Sequence, residues 1–231
     1  MHLRAHFAEF LGTALITATV VGSGIMAQSL TRDVLLQLLV NTFATVLILG
    51  LVIWLLAPVS GAYFNPVVLL IAFIRRELST LHLVTFSIVQ IAGAASGAIL
   101  AHALFNRALI APSTFERDGS YLFLSEVVAT AGLIATIFIA KNQGRGENAY
   151  WLVPLWIGGA YIFTSSTSFA NPAITLGRSL TDSFSGIALS SVPVFIAAQL
   201  LGALLGHSVA QLLVRQEERV NQEETFEVEK E

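Results

Sequence analysis

No cysteine occurs anywhere in the 231 residues, and charged side chains are scarce, with Asp, Glu, Lys and Arg making up 12%. Without thiols there is no disulfide scaffold, no thiolate nucleophile and no cysteine-ligated metal or cluster. An ordinary soluble domain carries about 25% charged residues, twice the value here. Seven of the fifteen acids (Glu217, Glu218, Glu223, Glu224, Glu227, Glu229 and Glu231) crowd into the last fifteen residues. The remainder is slightly basic and nearly free of charge. That excludes a disordered chain, a nucleic-acid binder with a basic face and a typical soluble enzyme.

What the chain has instead is apolar sequence: 55% hydrophobic residues and a mean hydropathy of +0.75. Stretches without Asp, Glu, Lys or Arg cover 10–31, 34–74, 78–106, 127–140, 148–177 and 183–214. A membrane-spanning helix needs about 20 mostly apolar residues. With one acid tolerated near the start of the first and fourth spans (Glu9, Glu126), six spans are predicted, at about 6–27, 34–56, 81–104, 122–140, 149–165 and 190–213. The first is too long and too acid-bearing for a cleaved signal peptide and belongs to the fold. If the spans alternate, eight Lys and Arg side chains fall on one side against four on the other. This places both termini in the cytoplasm of a multi-pass protein of the cell (inner) membrane. Residues 1–213 form the membrane domain, and 214–231 form an acidic cytoplasmic tail to which composition assigns no fold.

Two charge-free stretches exceed one helix. Residues 34–74 contain a span, a break at Ala57-Pro58-Val59-Ser60-Gly61, and about ten apolar residues after Asn65-Pro66. Residues 148–177 contain a span, the polar run Thr164-Ser165-Ser166-Thr167-Ser168, and then Asn171-Pro172. Ten residues of helix reach about 15 Å, half the hydrocarbon thickness. Each is therefore predicted to be a re-entrant half-helix, whose loop must be covered by protein or line a watery cavity.

The two halves repeat. Ala8-Glu9-Phe10-Leu11-Gly12-Thr13-Ala14 pairs with Ser125-Glu126-Val127-Val128-Ala129-Thr130-Ala131, and Asn65-Pro66-Val67 pairs with Asn171-Pro172-Ala173. Gln90, Gly93 and Gly97 match Gln199, Gly202 and Gly206 at the same spacing. Three spans per half invert the second copy (repeats of about 4–104 and 122–213), which puts the functional site at the interface near the membrane midplane. There the half-helices meet Asn-Pro to Asn-Pro. Proline suits the first helical turn and asparagine caps it, with an amide free to donate into a lumen. Two positive helix ends repel cations while the amides offer hydrogen bonds to uncharged solutes.

With these residues in place, the chain resembles the major intrinsic protein family, the aquaporins and glycerol facilitators. Ser60-Gly61-Ala62-Tyr63-Phe64-Asn65-Pro66-Val67 resembles its first signature loop, Phe169-Ala170-Asn171-Pro172-Ala173 with Gly177 its second, and Ala8-Glu9-Phe10-Leu11-Gly12 its opening helix. The resemblance implies an all-α membrane protein of six tilted helices plus two half-helices, one pore per subunit, and a homotetramer. It also implies passive passage of water and small neutral solutes. There are departures: Tyr63 stands where a histidine is common, Val67 where the first triplet has alanine, and Ile174 where the pore-narrowing arginine follows the second triplet. Arg178 lies four residues beyond that position. Spacing from the asparagines carries the other narrowing positions to Thr45, Gly159 and Ser168. With Ile174 they compose a widened, arginine-free filter. Bacterial members lacking this arginine are associated with arsenic resistance, so metalloid hydroxides such as arsenite join polyols as candidate solutes.

Glu9 and Glu126 are intramembrane acids, which are functional by default. They are read here as acceptors for the N–H groups of the re-entrant loops. The glycine pairs suit close helix crossing. His6, His82, His102 and His207 are scattered without metal-site spacing, so no metal or cofactor is expected, although His82 is a candidate pH gate. The competing classes are a secondary active transporter using Glu9 and Glu126, a water-selective aquaporin, and a structural role with a closed pore.

Overall fold

The computed structural model describes the backbone of residues 2–228 and the side chains of residues 3–213. The order of elements is α1 (His2–Leu30), α2 (Val34–Ser60), α3 (Pro66–Ile74), α4 (Thr80–Leu104), α5 (Ser120–Asn142), a 3₁₀ turn (Gly146–Asn148), α6 (Ala149–Phe163), α7 (Pro172–Arg178) and α8 (Val192–Val228). Among the described residues there is no strand.

Helix starts follow local chemistry. Asp33 caps α2, its Oδ1 accepting from the N–H groups of Leu35 (2.8 Å) and Leu36 (3.2 Å). Ser79 caps α4 through the N–H of His82. α2 runs through Pro58 to Ser60, so the break expected over 57–61 is confined to its end. There Gly61 takes a left-handed φ of 93°, and its N–H closes onto the Ala57 carbonyl. A proline in the last turn removes only one bond of the helix, and glycine reaches the left-handed cap without a Cβ clash.

Among the described residues, five helices are long and apolar enough to cross a membrane: Leu3–Leu30, Val34–Ser60, Thr80–Leu104, Ser120–Asn142 and Val192–Leu213. The chain is a multi-pass membrane protein. α6, predicted over 149–165, has only 15 residues, because the polar run from Thr164 leaves the helix. At 1.5 Å per residue it covers about 22 Å, and the preceding 3₁₀ turn lengthens the segment toward the ~30 Å of hydrocarbon. α8 runs on to Val228, carrying helix into the acidic segment for which composition assigned none. Glu, Gln and Arg are good helix formers, so an existing helix propagates through them at little cost.

Two helix pairs form the frame, α1 with α4 and α5 with α8, one from each repeat. Glycines set their approach. A Cβ on Gly93 would collide with the Phe10 carbonyl oxygen and one on Gly97 with that of Ala14. The second repeat copies this, Gly202 against Val127 and Gly206 against Ala131. α2 packs on α1 and α6, and presents Phe43, Leu47, Leu51 and Trp54 outward. In a membrane protein such a row faces hydrocarbon or a neighbouring subunit rather than water.

The half-helices fill the centre, α3 against α4 and α8, α7 against α4, α8 and α1. They point in opposite directions. α3 ends beside the C-terminus of α5, where Arg75 Nη2 donates to Asn142 Oδ1 at 2.7 Å. α7 ends beside the segment entering α5, where the Ser113 N–H donates to the Ser179 carbonyl at 3.0 Å.

Because the obstructing atoms at Gly97 and Gly206 are backbone, no rotamer change can relieve a larger side chain. Gly97→Val and Gly206→Val are expected to abolish the monodisperse peak in detergent size exclusion. Gly159→Ala, whose Cβ would meet nothing within 4 Å, is expected to match the parent. Parent-like behaviour of both valine variants would contradict the close crossings.

Candidate functional site: a cavity between two opposed asparagines

Each half-helix is preceded by a loop with the same unusual backbone. Ala62 and Phe64 have φ of 52° and 49°, and Ser168 and Ala170 both have 47°. These are the third and first residues before Asn65 and before Asn171. Left-handed non-glycine residues are costly and persist only where their surroundings over-determine them. Here the surroundings are two buried carboxylates. Glu9 Oε1 accepts from Ser60 Oγ (2.6 Å) and the Tyr63 N–H (3.0 Å), and Oε2 from the Phe64 N–H (2.7 Å) and Gln90 Nε2 (2.7 Å). Glu126 Oε1 accepts from the Phe169 N–H (2.8 Å), and Oε2 from the Ala170 N–H (2.9 Å) and Gln199 Nε2 (2.8 Å). Both carboxylates are fully buried.

The loops also brace each other. Asn65 Nδ2 donates to the Ala170 carbonyl and Asn171 Nδ2 to the Phe64 carbonyl, both at 2.8 Å. Each asparagine caps its own half-helix through Oδ1, Asn65 accepting from the Val67 N–H and Asn171 from those of Ala173 and Ile174. Pro66 and Pro172 occupy the first helical turn, where a missing N–H costs nothing. Val67 and Ala173 are buried beside them.

A cavity of ≈ 320 Å³ passes both asparagines. At one end it is lined by Glu77, Lys141 and Gly146, at the other by Tyr161, Ser168, Ile174 and Arg178. Its walls are helix faces read at intervals of four residues: Thr45, Leu49, Ile53 and Ala57 on α2, and Ala149, Val153, Ile157 and Tyr161 on α6. Beyond the Arg178 end lies a vestibule of ≈ 520 Å³ lined in part by Thr114, Arg117, Thr167 and Asp182.

The structure brings Thr45, Ser168 and Ile174 to this cavity, but not Gly159. Gly159 is exposed, and its Cβ direction meets open space. The correction follows from helix geometry: Ile157 and Tyr161 face the lumen, so Gly159, about half a turn from both, faces away. Counting back from Asn171 crosses the irregular segment 164–170, where distance along the chain no longer tracks direction.

Arg178 is the second correction. It is one turn beyond Ile174 on α7, on the same face, and lines the same cavity, so the lumen is not free of arginine. Its guanidinium carbon sits 3.3 Å from the Phe169 ring centroid, and its Nε–H donates to the Ser185 carbonyl. Arg117, also buried, lies 4.9 Å from the same ring and 4.7 Å from that of Phe115, with Nε donating to the Gly186 carbonyl at 2.9 Å. Burial, and then repulsion from Arg178, lowers the Arg117 guanidinium to about 9, so it stays charged at neutral pH. The four-residue spacing from Ile174 could have revealed Arg178, and the spacing from Val153 could have revealed Ile157 and Tyr161. No sequence signal marks Arg117.

At the opposite mouth Glu77 clasps Arg75 Nε (2.9 Å) and Lys141 Nζ (2.7 Å). Burial raises the Glu77 carboxyl, but the hydrogen bonds from Lys141 and Arg75 outweigh it and hold the group below the usual carboxylate range. The clasp is therefore intact at neutral pH and is lost only on strong acidification.

The chain is similar to known proteins. Residues 1–169 match the model of the family described as Major intrinsic protein. The chain is 46% identical to Aquaglyceroporin AqpS of Rhizobium meliloti (strain 1021), over 90% of this chain and 89% of that one. It is 29% identical to the Glycerol uptake facilitator protein of Pseudomonas aeruginosa, over 90% and 87% of the two chains. The X-ray structure of the aquaglyceroporin from Plasmodium falciparum superposes with a TM-score of 0.71 at 18% identity, covering 94% of this chain and all of that one, and so shares its fold. With paired loops, paired half-helices and these sequence matches in agreement, the chain belongs to the major intrinsic protein family.

Proposed function

We propose that the protein is a passive channel for water and small neutral solutes of polyol size, with metalloid hydroxides such as arsenite among its solutes. The observation that carries this reading is a cavity passing between two asparagine-capped half-helix N-termini. The helix ends disfavour cations, and the lining mixes a few hydrogen-bonding groups with apolar side chains. Thr45, Ser168, Tyr161 and Arg178 contribute polar groups, and Ile53, Val153, Ile157 and Ile174 contribute apolar ones. The buried Ser168 Oγ has no partner within the protein, which suits donation to or acceptance from a passing hydroxyl. Such a mixed lining matches a small neutral solute that carries both hydroxyls and carbon. The names of the aquaglyceroporin and glycerol-facilitator relatives agree with it.

The transporter alternative is disfavoured by the placement of the acids. Glu9 and Glu126 line no part of the cavity, and every carboxylate oxygen already accepts a donor. Neither is left to bind a coupling ion. By family resemblance the subunits assemble as a homotetramer in the cell membrane with both termini in the cytoplasm, each subunit carrying its own pore.

Reconstituted vesicles test the reading. Osmotic light scattering is expected to show water and glycerol flux that follows the solute gradient alone. Uphill accumulation on an imposed proton or sodium gradient, or no flux above protein-free vesicles, would contradict it.

Ile174 sets the width one turn inside Arg178. Ile174→Arg adds a long stem and five donors to the lumen. At matched protein levels it is expected to cut glycerol flux at least tenfold more than water flux. An unchanged ratio of the two fluxes would show that Ile174 does not limit passage.

A further inference from the structure

We propose that Arg178 is the cation-excluding residue of this channel, a guanidinium displaced one helical turn outward from the position that Ile174 occupies. This rests on the channel reading above and goes beyond it by assigning ion selectivity to a particular side chain.

The geometry is specific. Ile174 and Arg178 lie at i and i+4 on α7 and line the same cavity, so a charge at 178 faces the same lumen one turn, about 5.4 Å, nearer the vestibule. The guanidinium is fixed rather than free to swing. Phe169 stacks beneath it, the Ser185 carbonyl takes its Nε–H, and Tyr161 stands beside it on the lumen wall. Phe169 is in turn held through its own N–H by Glu126, so the platform of the arginine and the signature loop share one anchor.

The charge has no contact ion pair, and its nearest compensation is the buried Glu126 carboxylate, which acts on both Arg178 and Arg117 from beyond ion-pair distance. Among the described residues the ion pairs are those of Glu77 with Arg75 and Lys141, at the opposite mouth. Arg178 and Arg117 both lie against Phe169 and neither has a carboxylate within ion-pair distance. A purely structural buried arginine is normally neutralised, because an unpaired charge costs heavily in a dry site. Two guanidiniums share the single Glu126 carboxylate, which leaves a net positive field between the vestibule and the lumen that a cation must cross and a neutral solute ignores. Arg117 lines the vestibule and not the lumen, which makes it a positioning and field-reinforcing residue rather than the barrier itself.

The test compares potassium and proton leak, read by an entrapped dye, with water and glycerol flux in the same vesicles. Arg178→Gln is expected to raise cation leak at least tenfold relative to the water flux measured in the same vesicles. Arg178→Lys, which keeps the charge, is expected to stay tight. The decisive variant is Ile174→Arg combined with Arg178→Gln, which returns the charge to the inner position. It is expected to be tight again although the contacts of Arg178 are lost. A merely structural role for Arg178 predicts no such rescue. A tight Arg178→Gln channel that still conducts water would overturn the proposal, as would a leaky Lys variant or a leaky double variant. The last two decide the matter if the single Gln variant does not insert. Absence of neutral flux in the parent would instead count against the channel reading and is recorded separately in the same experiment.

Discussion

Non-helical backbone can stand inside a membrane only if something other than water accepts its N–H groups, and here two buried carboxylates do so. Each unpaired donor in hydrocarbon costs several kcal/mol. Glu9 collects four donors and Glu126 three, among them the N–H groups of Tyr63, Phe64, Phe169 and Ala170 that precede the two asparagines. The left-handed residues at 62, 64, 168 and 170 exist because these bonds hold them. Once the loops are fixed, the rest follows. The asparagines cap their half-helices, each braces the opposite loop, and the lumen passes between them.

The same constraint reaches the Arg178 end of the cavity. The Phe169 N–H is held by Glu126, the Phe169 ring carries Arg178, and Arg178 shares the lumen with Tyr161 and Ser168. On the reading proposed above, size and charge selection reside on successive turns of α7, so a change in solute range at Ile174 leaves the charge in place. In a chain with arginine directly after the second triplet, one side chain would serve both. On the same reading, separating them allows a wider lumen at the level of Ile174 while a guanidinium still lines the cavity.

Much of this architecture could be read from the sequence. The charge-free stretches, the paired Asn-Pro motifs and the equal spacing of Gln90, Gly93 and Gly97 with Gln199, Gly202 and Gly206 depend on local chemistry and on periodicity, both of which survive folding unchanged. The failures have physical reasons. Gly159 was placed by counting across the irregular segment 164–170, where residue number does not fix direction, and helix phase puts Ile157 and Tyr161 in the lumen instead. Arg178 misses the motif position, yet its four-residue offset from Ile174 returns it to the same face of α7. Arg117 comes from a loop whose docking depends on tertiary bonds to Gly186 and Ser191, and no local pattern announces those.

Carboxylate anchoring of the loops is the central claim, and replacing each acid with its amide tests it most directly. Glutamine keeps the size and one acceptor but turns an NH₂ donor toward groups that are themselves donors. Water flux per inserted channel, measured by light scattering for Glu9→Gln and Glu126→Gln alongside the parent, is predicted to fall at least tenfold in both. Parent-like flux in both variants would contradict the account, since it would mean that the loops hold their shape without the carboxylates.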